Sequence, residues 1–259
     1  MPHHKLIARL RVVGGLSEQD QLRLTRIPYR VKSLADGEYV VREGDKPSSC
    51  IVVIDGFLAR QRVVNDRNQI SSFYLAGDMP DLPNLHLPIA DCDLCSVGNS
   101  TIAAVPHSSL REMMTESLGL AHAFWRETLI QAAIYREWVE NLGARQALGR
   151  LAHLLCELTT RMEFVGLADN GSFRIPLTQQ DVADACGLSI VHVNRTIQEL
   201  RGLGLIEWEN HIVTLLRAQE LQAAAEFSPE YLHELKPKRR NQSAELARRA
   251  PEHDRLALR

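Results

Sequence analysis

The densest run of groups able to recognise another molecule is Pro176-Leu-Thr-Gln-Gln-Asp-Val-Ala-Asp-Ala-Cys-Gly-Leu-Ser-Ile-Val-His-Val-Asn-Arg-Thr-Ile-Gln-Glu-Leu-Arg201. It gathers the amides of Gln179, Gln180, Asn194 and Gln198, the hydroxyls of Thr178 and Ser189, the imidazole of His192 and the guanidinium of Arg195. Such groups pair with base edges and phosphate oxygens. Ile190 and Val191, in the same stretch, offer only apolar contact, as to a thymine methyl. Catalytic patterns are missing, since the chain holds no nucleophile elbow, P-loop or dinucleotide fingerprint. A cupin-like metal enzyme would need a His-x-His with a Glu and a later His, whereas the β-rich region offers only His86 and His107, singly.

The elements that must hold these groups are legible around them. Thr178 followed by Asp181 is a near-capping box that starts a helix, with Val182, Ala183 and Cys186 on its inner face. Gly187 supplies a positive-φ turn, and Ser189 caps a second helix whose Val193, Ile197 and Leu200 point inward. Helix, glycine turn and helix predict a helix-turn-helix, which directs the first turns of its second helix into the major groove. Gly204-Leu-Ile-Glu-Trp208, a turn at Glu209-Asn210, and His211-Ile-Val-Thr-Leu215 predict a hairpin wing beside it.

The order of these modules, with Leu188-Ser-Ile-Val-His-Val-Asn-Arg-Thr-Ile-Gln-Glu-Leu200 as the most specific part, resembles the Crp/Fnr superfamily of bacterial transcription regulators. The resemblance implies that Ser189 caps the recognition helix and that Arg195, six residues on, reads guanine. Ile190 and Val191 stand where catabolite-activator-like members hold Arg and Glu, so the second guanine contact and the cytosine contact are lost. Asn194 is expected at an adenine edge, and Thr178, Gln179, Gln180 and His192 at phosphates. Gln198 completes the expected DNA-facing set; the bland alternative for Arg195 is a phosphate contact or an ion pair with Glu199 at i+4.

The other chemically suggestive residues carry weaker signals. Cys92-x-x-Cys95, with Cys50 and His86, invites a metal or redox reading, but zinc or an iron-sulfur cluster needs four ligands and no second Cys pair accompanies them. Incidental or core thiols and no metal are expected, with a redox or metal sensor as the alternative. His3 and His4 read as a mobile terminus rather than haem ligands. Relatives that bind cyclic nucleotides use a Gly-Glu pair after a Gly-Asp turn and an Arg-Ser pair further on. Here Asp81-Leu82 and Asp91-Cys92 fall at those places, and no arginine lies between Arg67 and Arg111. A carboxylate there repels a phosphate, so cyclic AMP in the family's usual mode is not expected, and no cofactor is predicted. Pro80, Pro83 and Pro88 predict an extended loop in place of the small helix of a nucleotide cradle.

The scaffold follows from pattern changes along the chain. From Gly37 to about Val105, short β-branched runs broken at Gly37, Gly44, Gly56 and Gly77, with a hairpin loop at Asn65-Asp-Arg-Asn68, predict an antiparallel, jelly-roll-like β-roll after a short helix near Glu18–Arg26. From about Ser108 to Asn141 only Gly119 interrupts strong helix formers, predicting one long helix. Along it Leu118, Ala121, Trp125, Thr128, Ala132, Tyr135, Val139 and Leu142 alternate spacings of 3 and 4, the seam of a helix paired with its own copy. The alternative is that this stripe packs on the roll of its own chain. A second helix is expected from Ala144 to Glu163, and a short strand at Ser172–Ile175.

The fold class is therefore α+β: residues 1–107 a β-roll sensor or effector domain, 108–143 a dimerisation helix, 144–228 a winged helix-turn-helix, and 229–259 a basic tail expected to be mobile. The 259 residues suffice for two cores, and a net charge of −2 gives no overall nucleic-acid signature, although residues 236–259 carry eight Lys/Arg against three Asp/Glu. No apolar run approaches the ~20 residues that cross a bilayer, and no signal-peptide core opens the chain. The expected partners are double-stranded DNA, a second copy and RNA polymerase, with no membrane, in the cytoplasm; a roll that serves as a ligand-free protein-docking scaffold is the rival role for the first domain.

Overall fold

The computed structural model describes residues 2–233. The first element is a helix, α1 (Pro2–Gly14), where a mobile terminus was expected. Leu6, Ile7, Leu10 and Val13 recur on one face and are buried, so the helix is anchored by packing. His3 is buried with it, edge-on to Tyr29 and with Nε2 3.4 Å from the Ile27 carbonyl oxygen, while His4 is exposed. A second helix, α2 (Glu18–Thr25), starts at Ser17, whose hydroxyl accepts from the Asp20 amide.

The roll comprises β1 (Arg30–Leu34), β2 (Tyr39–Val41), β3 (Ser49–Val64), β4 (Arg67–Tyr74) and β5 (Asp93–Pro106), antiparallel in the order β1-β5-β3-β4 with β2 also on β5. The long strands β3 and β5 bend together where their register shifts on either side of Asp55. Gly56 is needed at that bend: its φ is +79°, and a Cβ would lie 2.6 Å from the Asn99 carbonyl oxygen. The β3–β4 hairpin turns on Asn65 and Asp66, both at positive φ. Between β4 and β5 the proline-containing segment forms a short 3-10 helix (Leu82–Leu85), not the extended loop expected from its prolines.

The single helix expected from 108 to 143 is two, α3 (His107–Glu116) and α4 (Leu118–Ala144). They break at Ser117, whose backbone is extended and whose hydroxyl caps the Leu120 amide and donates to Asp20. The cause is close approach of α2, since a Cβ on Gly119 would sit 2.8 Å from Asp20 Oδ2. Residues 145 and 146 join α4 to α5 (Ala147–Phe164). A second sheet, β6 (Ala168–Asp169), β7 (Ser172–Arg174), β9 (Ile212–Leu215) and β8 (Ile206–Glu209), follows in that spatial order. It packs with α6 (Gln179–Cys186), α7 (Ile190–Gly202) and α8 (Ala218–Ala224).

Residues 229–232, which fall in the segment expected to be a mobile tail, form a 3-10 helix with Leu232 buried against the core. The basic run 236–259 lies outside the described residues. One apolar cluster runs from α1 and the roll through α4 and α5 into the C-terminal sheet, and a smaller one lies on the other face of the roll around Val53, Leu58 and Ile102.

Candidate nucleic-acid interface

The capping box is complete: the Asp181 amide donates to Thr178 Oγ1 (3.2 Å) and the Thr178 amide to Asp181 Oδ2 (2.7 Å). α6 ends on Gly187, left-handed at φ 62°, ψ 39°, from which the Leu188 amide returns to the Ala183 carbonyl. Ser189 then caps α7, its Oγ accepting from the His192 amide at 3.3 Å. Val182, Ala183, Ala185 and Cys186 of α6 face Val193, Thr196, Ile197 and Leu200 of α7 in a buried interface. This packing fixes the angle between the helices and leaves the other side of α7 free.

That free side carries Ile190 (42 % exposed), Val191 (70 % exposed), His192, Asn194, Arg195, Gln198 and Glu199. Arg195, exposed on this side, makes no ion pair with Glu199 and no other ion pair among the described residues. The remaining polar residues fall into two grooves. Thr178, Gln179, Asn194 and Gln198 share one with Arg201 and with the wing tip Asn210-His211. Gln180 and Ser189 share the other with Arg67 and Asn68 of the β3–β4 hairpin. Gln180 is tethered there, its amide donating to Asp184 Oδ1 at 2.6 Å, while Asn68 and Gln69 hold Asp184 from the roll side.

The wing expected from the sequence is present, with its turn one residue later than expected, on Asn210 and His211 at positive φ. Its approach to α7 is fixed by Arg201, which donates to Glu209 at 3.1 Å.

On α4, none of the eight stripe residues is buried: Leu118, Trp125 and Val139 are exposed, and Ala121, Thr128, Ala132, Tyr135 and Leu142 are half-buried. The face turned to the roll is a different one, with Leu120, Ala123, Phe124, Ile130, Ile134 and Trp138. Two members of the stripe reach other elements of their own chain. Tyr135 shares a hydroxyl hydrogen bond with Tyr74 of the roll, and Leu142 packs beside Gly187 of the helix-turn-helix.

A cavity of about 250 Å³ lies between the 3-10 segment and α4, lined in part by Arg60, Asp91, Thr128, Gln131 and Tyr135. An arginine therefore does stand near Asp91, contributed by β3 rather than by the segment between Arg67 and Arg111. Four of its five N–H donors are engaged: Nε by the Tyr74 hydroxyl (3.0 Å), Nη1 by Asp91 (3.0 Å) and Cys92 Sγ (2.7 Å), and one on Nη2 by the Pro80 carbonyl (2.7 Å).

All five cysteines are buried and free. Burial pushes the Cys92 thiol up to about 12 and that of Cys95 to about 11, far from the thiolate that redox chemistry and metal binding use. Cys92 meets Arg60, whereas Cys95 is directed at the Ala59 carbonyl. Among the described residues no group of three or more His, Cys, Asp or Glu side chains could hold a metal ion, and no helix is long and apolar enough to cross a membrane.

Comparison with known proteins finds two matching families. Residues 31–117 match the cyclic nucleotide-binding domain family and residues 149–224 the Crp-like helix-turn-helix domain family. A probable transcriptional activator of Rhizobium leguminosarum bv. viciae is 30% identical over 210 residues, covering 80% of this chain and 86% of its own length. The transcriptional activator protein FnrL of Cereibacter sphaeroides is 26% identical over 227 residues, 85% of this chain and 90% of that protein. Among solved structures, FixK2 from Bradyrhizobium japonicum superposes with a TM-score of 0.70 at 22% identity, over 78% of this chain and all of the other. With the β-roll, the helix-turn-helix and the wing in the same order, the chain belongs to the Crp/Fnr superfamily of DNA-binding transcription regulators.

Proposed function

We propose that the protein acts in the cytoplasm as a homodimer joined along α4, setting two copies of α7 on a near-palindromic DNA site and presenting RNA polymerase with a bound regulator. The observation that carries this reading is the pair of exposed surfaces: an apolar stripe on α4 with Trp125 63 % exposed, and a polar face on α7 with Arg195 exposed. Arg195 reads guanine in this scheme, Ile190 and Val191 meet thymine methyls, and Asn194 meets an adenine edge. Thr178, Gln179 and His192 hold phosphates, with Gln198 deeper along the helix. Gln180 joins them only by giving up its bond to Asp184.

No catalytic role and no cofactor is assigned. Cyclic AMP is not the effector in the family's usual mode, since Arg60, the one arginine lining the cavity among the described residues, already commits four of its five donors to the protein, and about 250 Å³ falls below the usual ~300–1,000 Å³ of a ligand pocket. The raised thiols speak against the redox-sensor alternative.

Selection of binding sites from randomised duplexes at one fixed salt concentration tests the scheme. Two inverted half-sites are expected, and Arg195→Ala should cost about 1–3 kcal/mol per half-site and relax preference at a single base pair. A uniform loss across all sequences would demote Arg195 to a backbone contact.

A further inference from the structure

Five charged side chains are buried in the interior where the roll, α1, α4 and α5 meet. Arg9 of α1, Asp78 of the turn after β4, Glu127 of α4, and Glu157 and Arg161 of α5 each expose at most 4 % of the side chain. They form a ladder. Glu127 lies 3.2 Å from Arg9, Arg9 3.5 Å from Asp78, Asp78 2.7 Å from Arg161, and Arg161 3.1 Å from Glu157. Neighbours hold each carboxylate: at the centre the Leu75 amide donates to Asp78, and at the ends Gln131 donates to Glu127, and Trp138 and Tyr231 to Glu157.

Replacing such a network with apolar side chains of similar volume is often neutral or favourable for stability, so stability alone does not account for it. Geometry does. Only Arg145 and Gln146 separate α4 from α5, so the angle between the two helices is held by side-chain contacts such as those of Arg145 and Arg150 at the joint and of Arg161 farther along. Arg161 lies far along α5, about 21 Å from Ala147 at ~1.5 Å per residue. A swing of roughly 10° about the joint displaces it by about 3.7 Å and turns the winged helix carried on α5 through the same angle. The Asp78–Arg161 bond, at 2.7 Å, does not survive such a shift.

We propose that the ladder is the positioning element of the winged helix: Asp78 and Arg161 fix the angle of α5 to the dimer helix and thereby set the spacing of the two DNA half-sites. This rests on the dimeric DNA-binding reading above. Asp78 belongs to the roll, so any rearrangement of the roll that moves this carboxylate changes the pose of the recognition helix. The two residues touch no DNA; they act through α5.

The test is a duplex library in which two fixed half-sites are separated by spacers of varying length, offered to the full chain and to Asp78→Asn, Arg161→Met and Arg161→Lys. The unsubstituted protein should discriminate by at least about tenfold between its best spacer and one a base pair longer or shorter. Asp78→Asn and Arg161→Met should flatten that to within about threefold while leaving base preference inside each half-site unchanged. Arg161→Lys, which keeps the charge, should restore part of the discrimination. Leu154→Ala, a buried truncation on the same helix, supplies the stability control: it should lower thermal stability yet keep the spacer optimum. Where Arg161→Met fails to fold, the near-isosteric Asp78→Asn decides. A sharp, unshifted optimum in folded, dimeric Asp78→Asn overturns the proposal. Failure of the unsubstituted chain to bind any member of the library instead overturns the reading beneath it.

Discussion

Truncating Trp125 separates the α4 seam from any other route to dimerisation. The indole is 63 % exposed in the single chain, and taking the upper figure of roughly 250 Å² for a tryptophan leaves roughly 160 Å² uncovered. At ~25 cal/mol/Å² the ceiling is about 4 kcal/mol per protomer, from which the costs of association subtract. Trp125→Ala should therefore weaken the dimer by about 2–4 kcal/mol, roughly 30- to 1,000-fold in dissociation constant. Since the ring packs on little within its own chain, the stability of the monomer should move by less than about 0.5 kcal/mol. Sedimentation equilibrium across a concentration series measures the first quantity, and urea unfolding of the dilute protein the second. Leu22→Ala is the control, because Leu22 is 59 % exposed but lies on α2, off the stripe. An unchanged dissociation constant for Trp125→Ala, or an equal loss for Leu22→Ala, would place the interface elsewhere.

Glutamates at Trp125 and Val139 together should yield monomers with much weaker DNA binding, seen in the same sedimentation experiment, because they bury unpaired charge in the seam. Val191→Glu gains an acceptor and loses a methyl contact, so selected half-sites should shift toward cytosine at the facing position. Calorimetry should show no tight binding of cyclic AMP, and micromolar binding with a matching gain in DNA affinity would refute the account of Arg60. Acid response depends on two buried groups of opposite sign. Burial pushes His153 down from 6.5 to about 3; Glu137 Oε1 lies 3.1 Å from its Nε2 without a hydrogen bond, and Arg145 beside it favours the neutral ring. The unfolded chain then binds more protons, so this group costs about 1.4 kcal/mol of stability per unit as pH falls below 6.5. Burial pushes Asp81 up from 3.8 to about 7, and here the folded chain binds more protons, so stability is lost as pH rises through that window. The two offset each other between about pH 4 and 6.5. Asp81→Asn should thus lose about 2 kcal/mol between pH 6.5 and 5, whereas His153→Phe gains over the same interval; a flat denaturation profile for Asp81→Asn would refute the assignment.

What the sequence makes legible is what local spacing controls. Thr178 with Asp181, Gly187 and Ser189 lie within a few residues of the groups they bond, so helix starts, the turn and the inner faces of α6 and α7 are readable from the string. The same holds for Asn65-Asp66 in the hairpin and for the outward stripe of α4. Where a distant element intrudes, the reading goes astray. The break at Ser117 is invisible in a run of helix formers because its cause, Asp20, sits 97 positions away. Charged and polar residues gave α1 the look of a loose terminus, although Leu6, Leu10 and Val13 already carried a helical period that a search for short apolar faces would have found.

Arg60 and the buried ladder mark the same boundary more sharply. The search for a phosphate partner ran along the segment between Arg67 and Arg111, but antiparallel pairing of β3 with β5 sets Arg60 opposite Leu94 and so beside Asp91 and Cys92. Arg9 and Glu127 are 118 positions apart, and Asp78 and Arg161 are 83. Each, read alone, is an ordinary charge, on a helix for Arg9, Glu127 and Arg161 and in a turn for Asp78, expected in water. Only the tertiary arrangement strips that water away, and a charge so stripped must either find a partner or neutralise. Partner choice is thus decided by the fold as a whole, and the residues that join the roll to the winged helix are the ones a linear reading assigns to solvent.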